Sequence, residues 1–325
     1  MKSIYLWLSL LGFSVGCSGL SYANWHTESF AVMGTTAQVE LWHQDTKRAQ
    51  QLIQQVKDEM TRIEQSMSPY KPNSELSRIN RLAYQQAIET NVELFQLLIK
   101  AQEVANISQG AFDISFASVG FMYDYRAKKR PLQQQIQQYL PSINYQSIQL
   151  DNTTKTVRFL NPNIKIDLGG IAKGYAVKHC IAILKQQGVT SALISAGGDT
   201  QLLGDKQGRE WTVAIQHPRA KNKQAVLLPL KNEAISTSGD YERYFIQNGE
   251  RVHHILNPKT GHSANGLVSV SVIGSDAVMT DALSTTLFVL GLKAGMHLIE
   301  SMPDYQAVMI TPELRMHFSS GLQNF

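Results

Sequence analysis

Two strands that run directly into paired glycines constrain this chain more than any other feature. Residues 165–168 (Lys165-Ile166-Asp167-Leu168) lead into Gly169-Gly170, and a helical pattern then continues through Gln187. Residues 192–195 form a second apolar strand that ends at Gly197-Gly198-Asp199. Glycine lets backbone groups approach a neighbour or ligand closely, and a helix N-terminus favours an anion. Each turn also carries a carboxylate, Asp167 or Asp199, and Lys173 adds a cation suited to phosphate. The run Gly169-Gly170-Ile171-Ala172-Lys173-Gly174 has neither P-loop nor GxGxxG spacing, which argues against a Rossmann-type nucleotide site. Taken alone, either turn is explained equally well by tight packing.

The remaining periodicities place these turns in an α+β chain. Residues 28–43 alternate as a strand broken at Met33-Gly34-Thr35-Thr36. Leu52, Ile53, Val56, Met60 and Ile63 recur at helical spacing within 47–65. Residues 75–79 and 91–108 read as further helices, and 120–145 as a polar, Gln-rich surface excursion with a short helix. A hairpin is expected at 148–150 and 157–159. Strands are expected at 212–216, 225–229, 234–238, 244–247, 268–273 and 307–310, with helices at 280–290 and 293–300. No internal repeat or long linker interrupts this order. Residues 24–325 therefore read as one α+β unit with mixed or antiparallel sheets, flanking helices and a potential subdomain junction near 160.

The N-terminus points outward. Lys2 precedes an apolar stretch from Ile4 to Val15, and Ser21-Tyr22-Ala23 offers a small-x-small end, the pattern of a secretory signal peptide cleaved after Ala23. Lipidation at Cys17, within Ser14-Val15-Gly16-Cys17, is the alternative and would attach the protein to the inner membrane. Either way the expected location is the periplasm. Cleavage after Ala23 leaves Cys180 as the one mature cysteine, which excludes an internal disulfide; its apolar helical surroundings read as core. The formal charge of +4 is scattered, with no basic stripe interleaved with aromatics, so no nucleic-acid partner is expected.

Two further constellations carry chemistry. In Thr280-Asp281-Ala282-Leu283-Ser284-Thr285, helical spacing brings Asp281, Ser284 and Thr285 to one face. A carboxylate with hydroxyls is a hard-oxygen set, suited to Mg²⁺ or Ca²⁺ and poor for zinc. The bland account makes Asp281 a first-turn acid behind a cap at Thr280 or Asp276. In His253-His254-Ile255-Leu256-Asn257-Pro258-Lys259-Thr260-Gly261, a histidine at a strand end stands before a turn, where it could act as a general base. A surface-turn histidine is the commoner case.

Taken together, these segments resemble the FAD:protein FMN transferase (ApbE) family. The resemblance runs from about residue 28 to 310. It rests on Met33-Gly34-Thr35, Ser68-Pro69-Tyr70, Gly110-Ala111-Phe112-Asp113, 167–174, Gly197-Gly198-Asp199, Ser236-Thr237-Ser238-Gly239-Asp240, 254–261 and 280–285, in that order. It implies an ApbE-like fold with FAD in a cleft between subdomains. It also implies FAD contacts at Met33, Tyr70, Ala111, Phe112, Asp113, Asp167, Lys173 and Ile255, with Gly197, Gly198, Asp199 and Ser238 beside them. The implied metal ligands are Gly170, through its carbonyl, Asp281 and Thr285, with Ser284 at a place where many relatives carry a second acid. Asn257 stands where Asp is common.

The implied activity is Mg²⁺-dependent transfer of FMN from FAD to a Thr or Ser of an acceptor flavoprotein, a respiratory or redox subunit, with release of AMP. Lys173 would neutralise charge on phosphorus, and His254 would take the hydroxyl proton; Asp240 or Asp199 positioning that hydroxyl is the alternative. The rival readings are an FAD pyrophosphatase, a non-enzymatic flavin-binding protein and an exported substrate-binding protein. The last of these leaves the Asp281–Thr285 pair without a purpose.

Overall fold

The computed structural model describes residues 24–322; the segment expected to be a signal peptide, with Cys17, lies outside the described residues. The N-terminal stretch is a hairpin, β1 (Asn24–Val32) and β2 (Thr35–His43). Its two-residue turn has both members at positive φ, Met33 at 51° and Gly34 at 70°. That hand matches the twist of the flanking strands. The break expected in one strand is therefore a reversal of the chain.

Helices α1 (Thr46–Met67), α2 (Glu75–Leu82) and α3 (Val92–Ile107) follow, capped by Asp45, Ser74 and Asn91. In each case the cap side chain accepts from first-turn amides, as short polar residues do at helix starts. β3 (Ile88–Glu89) joins β4 (Ile148–Asp151) and β5 (Thr156–Phe159) in a small sheet ordered β3-β5-β4. Between them lie α4 (Ala117–Gly120) and α5 (Gln133–Tyr139).

The second half supplies most of the main sheet. After α6 (Ala172–Gln186) come β6 (Ala192–Ala196), β7 (Asp199–Leu203), β8 (Trp211–Gln216), β9 (Gln224–Leu230) and β10 (Ala234–Gly239). They are followed by β11 (Tyr244–Gln247), β12 (Glu250–His253), β13 (Ser269–Gly274), α7 (Ala277–Glu300), β14 (Tyr305–Ile310) and β15 (Met316–Phe318). Eight strands pair in the order β1-β2-β6-β7-β10-β13-β14-β15, every neighbour antiparallel.

Helices α1, α6 and α7 cover one face of this sheet, and the largest core cluster draws on residues from Val32 to Met309. The β8–β9 ribbon covers part of the other face, where Trp211, Leu228, Leu230, Ile273 and Val308 form a second core. β13 lies between both cores, so all six of its residues are buried. α7 is apolar enough by length and composition to cross a membrane; here it is a core helix packed on β10, β13 and α6.

Two sequence expectations need correction. Residues 165–168 are extended but pair with no strand. Their amides go elsewhere: Lys165 N to Ser118 Oγ (3.0 Å), Ile166 N to Asn80 Oδ1 (2.7 Å) and Asp167 N to Ile114 O (3.0 Å). Two side chains and one lone backbone carbonyl satisfy these amides where a ladder was expected. The 120–145 segment is not merely a surface excursion. Val119, Tyr123 and Ile136 bury against Phe245, Val252 and Leu256 in a third cluster. Tyr123 Oη donates to Gly261 O (2.9 Å) and Tyr125 Oη to His253 O (3.3 Å), which clamps the histidine ribbon.

Candidate active site

The centre of the site is the crossing of α6 and α7. A Cβ on Gly174 would lie 2.1 Å from Ala277 O and 2.8 Å from Asp281 Cβ, so only glycine permits this approach. Ile171, at the N-cap of α6, provides no side-chain cap. Asp281 performs that task from the other helix: its Oδ2 accepts from Gly174 N at 2.9 Å. A carboxylate at a helix N-terminus satisfies an orphan amide and complements the helix dipole.

Lys173 ties the α6 start to the second glycine turn. Its Nζ is 2.6 Å from Asp199 Oδ2 and 3.5 Å from Asp281 Oδ2. The lysine side chain keeps 25% exposure while the two carboxylates keep 3% and 4%, so the ammonium is the member of the trio that faces outward. Burial works against the Lys173 charge, but the two carboxylates outweigh it and hold the ammonium above the usual lysine range. Burial, and then the Asp199 charge, push the Asp281 carboxyl up to about 7.

Hydroxyls line the β10 side. Ser238 Oγ is 2.8 Å from Ser284 Oγ and 3.2 Å from Thr285 Oγ1, and Ser236 Oγ is 2.8 Å from Thr280 Oγ1. Ser284 Oγ donates to Asp281 O (2.9 Å), a back-bond inside α7. Gly170 completes the set: a Cβ there would lie 3.3 Å from both Thr285 Oγ1 and a Phe112 ring carbon. The hydroxyls of Thr285, Ser284 and Ser238 thus gather beside the Gly170 backbone, and Asp281, one turn before Thr285 on α7, adds a carboxylate; none of these is a nitrogen or sulfur ligand. This set fits a hard divalent cation such as Mg²⁺.

The other glycine turn is equally constrained. Gly197 has φ 62° and lies against Thr35, while a Cβ on Gly198 would meet Thr237 O at 2.5 Å. Asp167 accepts from Gly169 N (2.8 Å), and burial raises its carboxyl against that bond and against the nearby Arg243, Tyr70 and Lys173. Tyr70 is 71% exposed and meets Phe121 edge-on at 5.9 Å, which leaves a flat face available for a ring.

The two histidines divide their roles. His253 Nε2 pairs with Ala264 O (2.8 Å) and its ring sits edge-on to Phe288, so it is a core residue. His254 is half-buried and its Nδ1 has no partner. Burial and then the Arg243 charge press its pKa down to about 3, which keeps it neutral in the free protein.

Not every expected residue is free to act. Both oxygens of Asp240 are gripped by Arg219, at 2.6 and 2.7 Å. Asp113 accepts from Ser115 N, Ser115 Oγ and Tyr145 N, which pins the loop holding the buried Ala111 and Phe112. Ile255 is buried in the main core. Sequence reasoning missed Asn80, which fixes the approach to Asp167, and Arg219, which holds Asp240; as lone polar residues on a helix and in a loop they carry no local signal. It also missed Arg243, whose Nη2 reaches Gly34 O (3.4 Å) and whose own carbonyl accepts from His254 N (3.1 Å).

Fold and site together define a class: an antiparallel α+β protein whose glycine turns and oxygen donors gather around a lysine. The chain belongs to the ApbE family, whose profile matches residues 33–309. It is 31% identical to the FAD:protein FMN transferase of Klebsiella pneumoniae (strain 342), over 88% of this chain and 89% of that one. To the FAD:protein FMN transferase of Haemophilus influenzae it is 30% identical, over 80% and 79%. The crystal structure of the ApbE protein from Thermotoga maritima superposes with a TM-score of 0.86 at 30% identity, covering 93% of this chain and 99% of that one.

Proposed function

We propose that this chain is an exported, Mg²⁺-dependent FAD:protein FMN transferase that modifies a Thr or Ser of a periplasmic flavoprotein subunit. The observation that carries this reading is the grouping of the Thr285 and Ser284 hydroxyls beside Gly170, one turn along α7 from the Asp281 carboxylate that meets Lys173, in a chain of the ApbE family. Met33, Tyr70, Phe112 and Asp167 stand on the loops around that centre and would receive the flavin dinucleotide. Asp281, Thr285 and the Gly170 carbonyl would hold Mg²⁺, with Ser284 and Ser238 in support. Mg²⁺, when bound, supplies charge neutralisation on the diphosphate oxygens.

The chain's own groups account for the rest. Asp199 and Asp281 hold Lys173 with its ammonium outward, preorganised for a phosphate oxygen. The glycine turns let backbone amides approach the diphosphate. His254 is unprotonated and so can accept the proton of the incoming hydroxyl. That oxygen forms a bond to the FMN phosphorus while the phosphoanhydride bond breaks, and AMP departs with the bridging oxygen and its electron pair. A bound dianion would raise His254 from its depressed value towards neutrality, which makes it a better base in the complex than in the free protein.

The test is to co-express the chain with an exported flavoprotein subunit and weigh that subunit. A gain of one FMN phosphoryl group on a Thr or Ser supports transfer; free FMN and AMP with an unmodified acceptor would replace it with hydrolysis.

A further inference from the structure

Lys173 cannot by itself draw a diphosphate to this site. Its single positive charge already faces Asp199 at 2.6 Å and Asp281 at 3.5 Å, and Asp167 lies within electrostatic reach. A dianionic ligand therefore needs a cation that is not already compensated. Arg243 is the less compensated cation: it feels Asp167 only from beyond ion-pair distance, forms no ion pair among the described residues, and its side chain makes one long hydrogen bond, Nη2 to Gly34 O at 3.4 Å. By contrast Arg219, in the β8–β9 connection, is fully engaged with Asp240.

The position of Arg243 is built. A Cβ at Gly34 would lie 3.2 Å from Nη2, so the glycine of the β1–β2 turn leaves room for the guanidinium. The Arg243 carbonyl accepts from His254 N, which fixes the arginine backbone to the histidine. Its charge bears on Asp167, Tyr70 and His254 together.

Resting on the transferase reading above, we infer that Arg243 is a diphosphate-binding residue, its guanidinium held over the Met33–Gly34 turn to take phosphate oxygens of the dinucleotide. A planar fork is suited to two such oxygens where an ammonium offers a point charge. Arg243 would act at capture of the substrate, while Lys173 and the oxygen-donor site act deeper in.

The test measures binding of FAD and of riboflavin, which lacks phosphate, to the purified protein in EDTA, so that no turnover intervenes. Arg243→Gln is expected to weaken FAD binding by about 10- to 100-fold and leave riboflavin binding and thermal stability unchanged. Arg243→Lys should fall between the variant and the wild type. Equal losses for FAD and riboflavin would make Arg243 a prop for the turn and overturn the inference, as would an unchanged FAD affinity or a wild type that binds no FAD without metal. Failure of the transferase reading looks different: wild-type protein that binds FAD but, given Mg²⁺, releases no AMP.

Discussion

At the scale of single residues, the site is a set of charges held in states that water would not favour. His254 is kept neutral by burial and by Arg243, with its pKa pressed down to about 3 from 6.5. Between those two values the unfolded chain binds a proton that the folded chain refuses, so this residue makes stability fall as pH drops below 6.5. Asp281, raised to about 7, works in the opposite sense: the folded chain keeps a proton that the unfolded chain has lost, and that contribution disappears as pH rises through 7. Comparing variants separates the two. His254→Gln should flatten the acid-side fall in melting temperature and lower flavinylation by about 10²- to 10⁴-fold. A wild-type pH–melting curve, or a near wild-type rate, would remove His254 from these roles. Asp240 belongs to a different group. Arg219→Ala would leave its buried carboxylate with only Arg251, at 3.7 Å, for company. The expected cost is about 2–3 kcal/mol by denaturant unfolding, below that of a fully buried pair because Arg219 is partly exposed.

At the scale of elements, the α6–α7 crossing decides whether the oxygen donors meet. Gly174→Ala drives a methyl into Ala277 O and should cost about 3 kcal/mol, with loss of metal binding in whatever protein remains folded. Equal stability and metal affinity in that variant would show that the crossing has slack. Most elements were readable from periodicity. Even the two helices expected at 280–290 and 293–300 correspond to α7 interrupted at Gly291, where φ is 75°. The extended segment 165–168 was misread as a strand because its apolar alternation fits one, whereas the partners that replace a ladder, Asn80 and Ser118, lie 86 and 47 residues away. β7 (Asp199–Leu203) was read only as a turn because Gly197-Gly198 dominates the local pattern.

At the scale of the whole molecule, the fold brings oxygen donors from a mid-chain turn, a sheet strand and α7 to one region: Gly170, Ser238 and residues 281, 284 and 285. Metal should therefore stabilise the entire fold. At a free Mg²⁺ concentration 100 times its Kd the gain is about 2.7 kcal/mol, read as a rise in melting temperature, and Asp281→Asn should abolish it. A rise of the same size in that variant would move the metal elsewhere. One other acidic group, Glu59, Glu93 and His179, has ligand atoms within 4.8 Å of one another, but Arg62 already binds both glutamates.

The sequence by itself determined the α+β class, the positions of most helices and strands, and the residue types suited to Mg²⁺ and phosphate, because periodicity, glycine turns and donor chemistry are local. Only the tertiary structure decided which of those residues are free to act. Lys173 meets Asp281 across 108 positions, Asp240 is consumed by Arg219, and His253 rather than His254 is tied into the core through its ring. Charge compensation and burial are properties of neighbours brought together by folding, and no pattern along the chain encodes them.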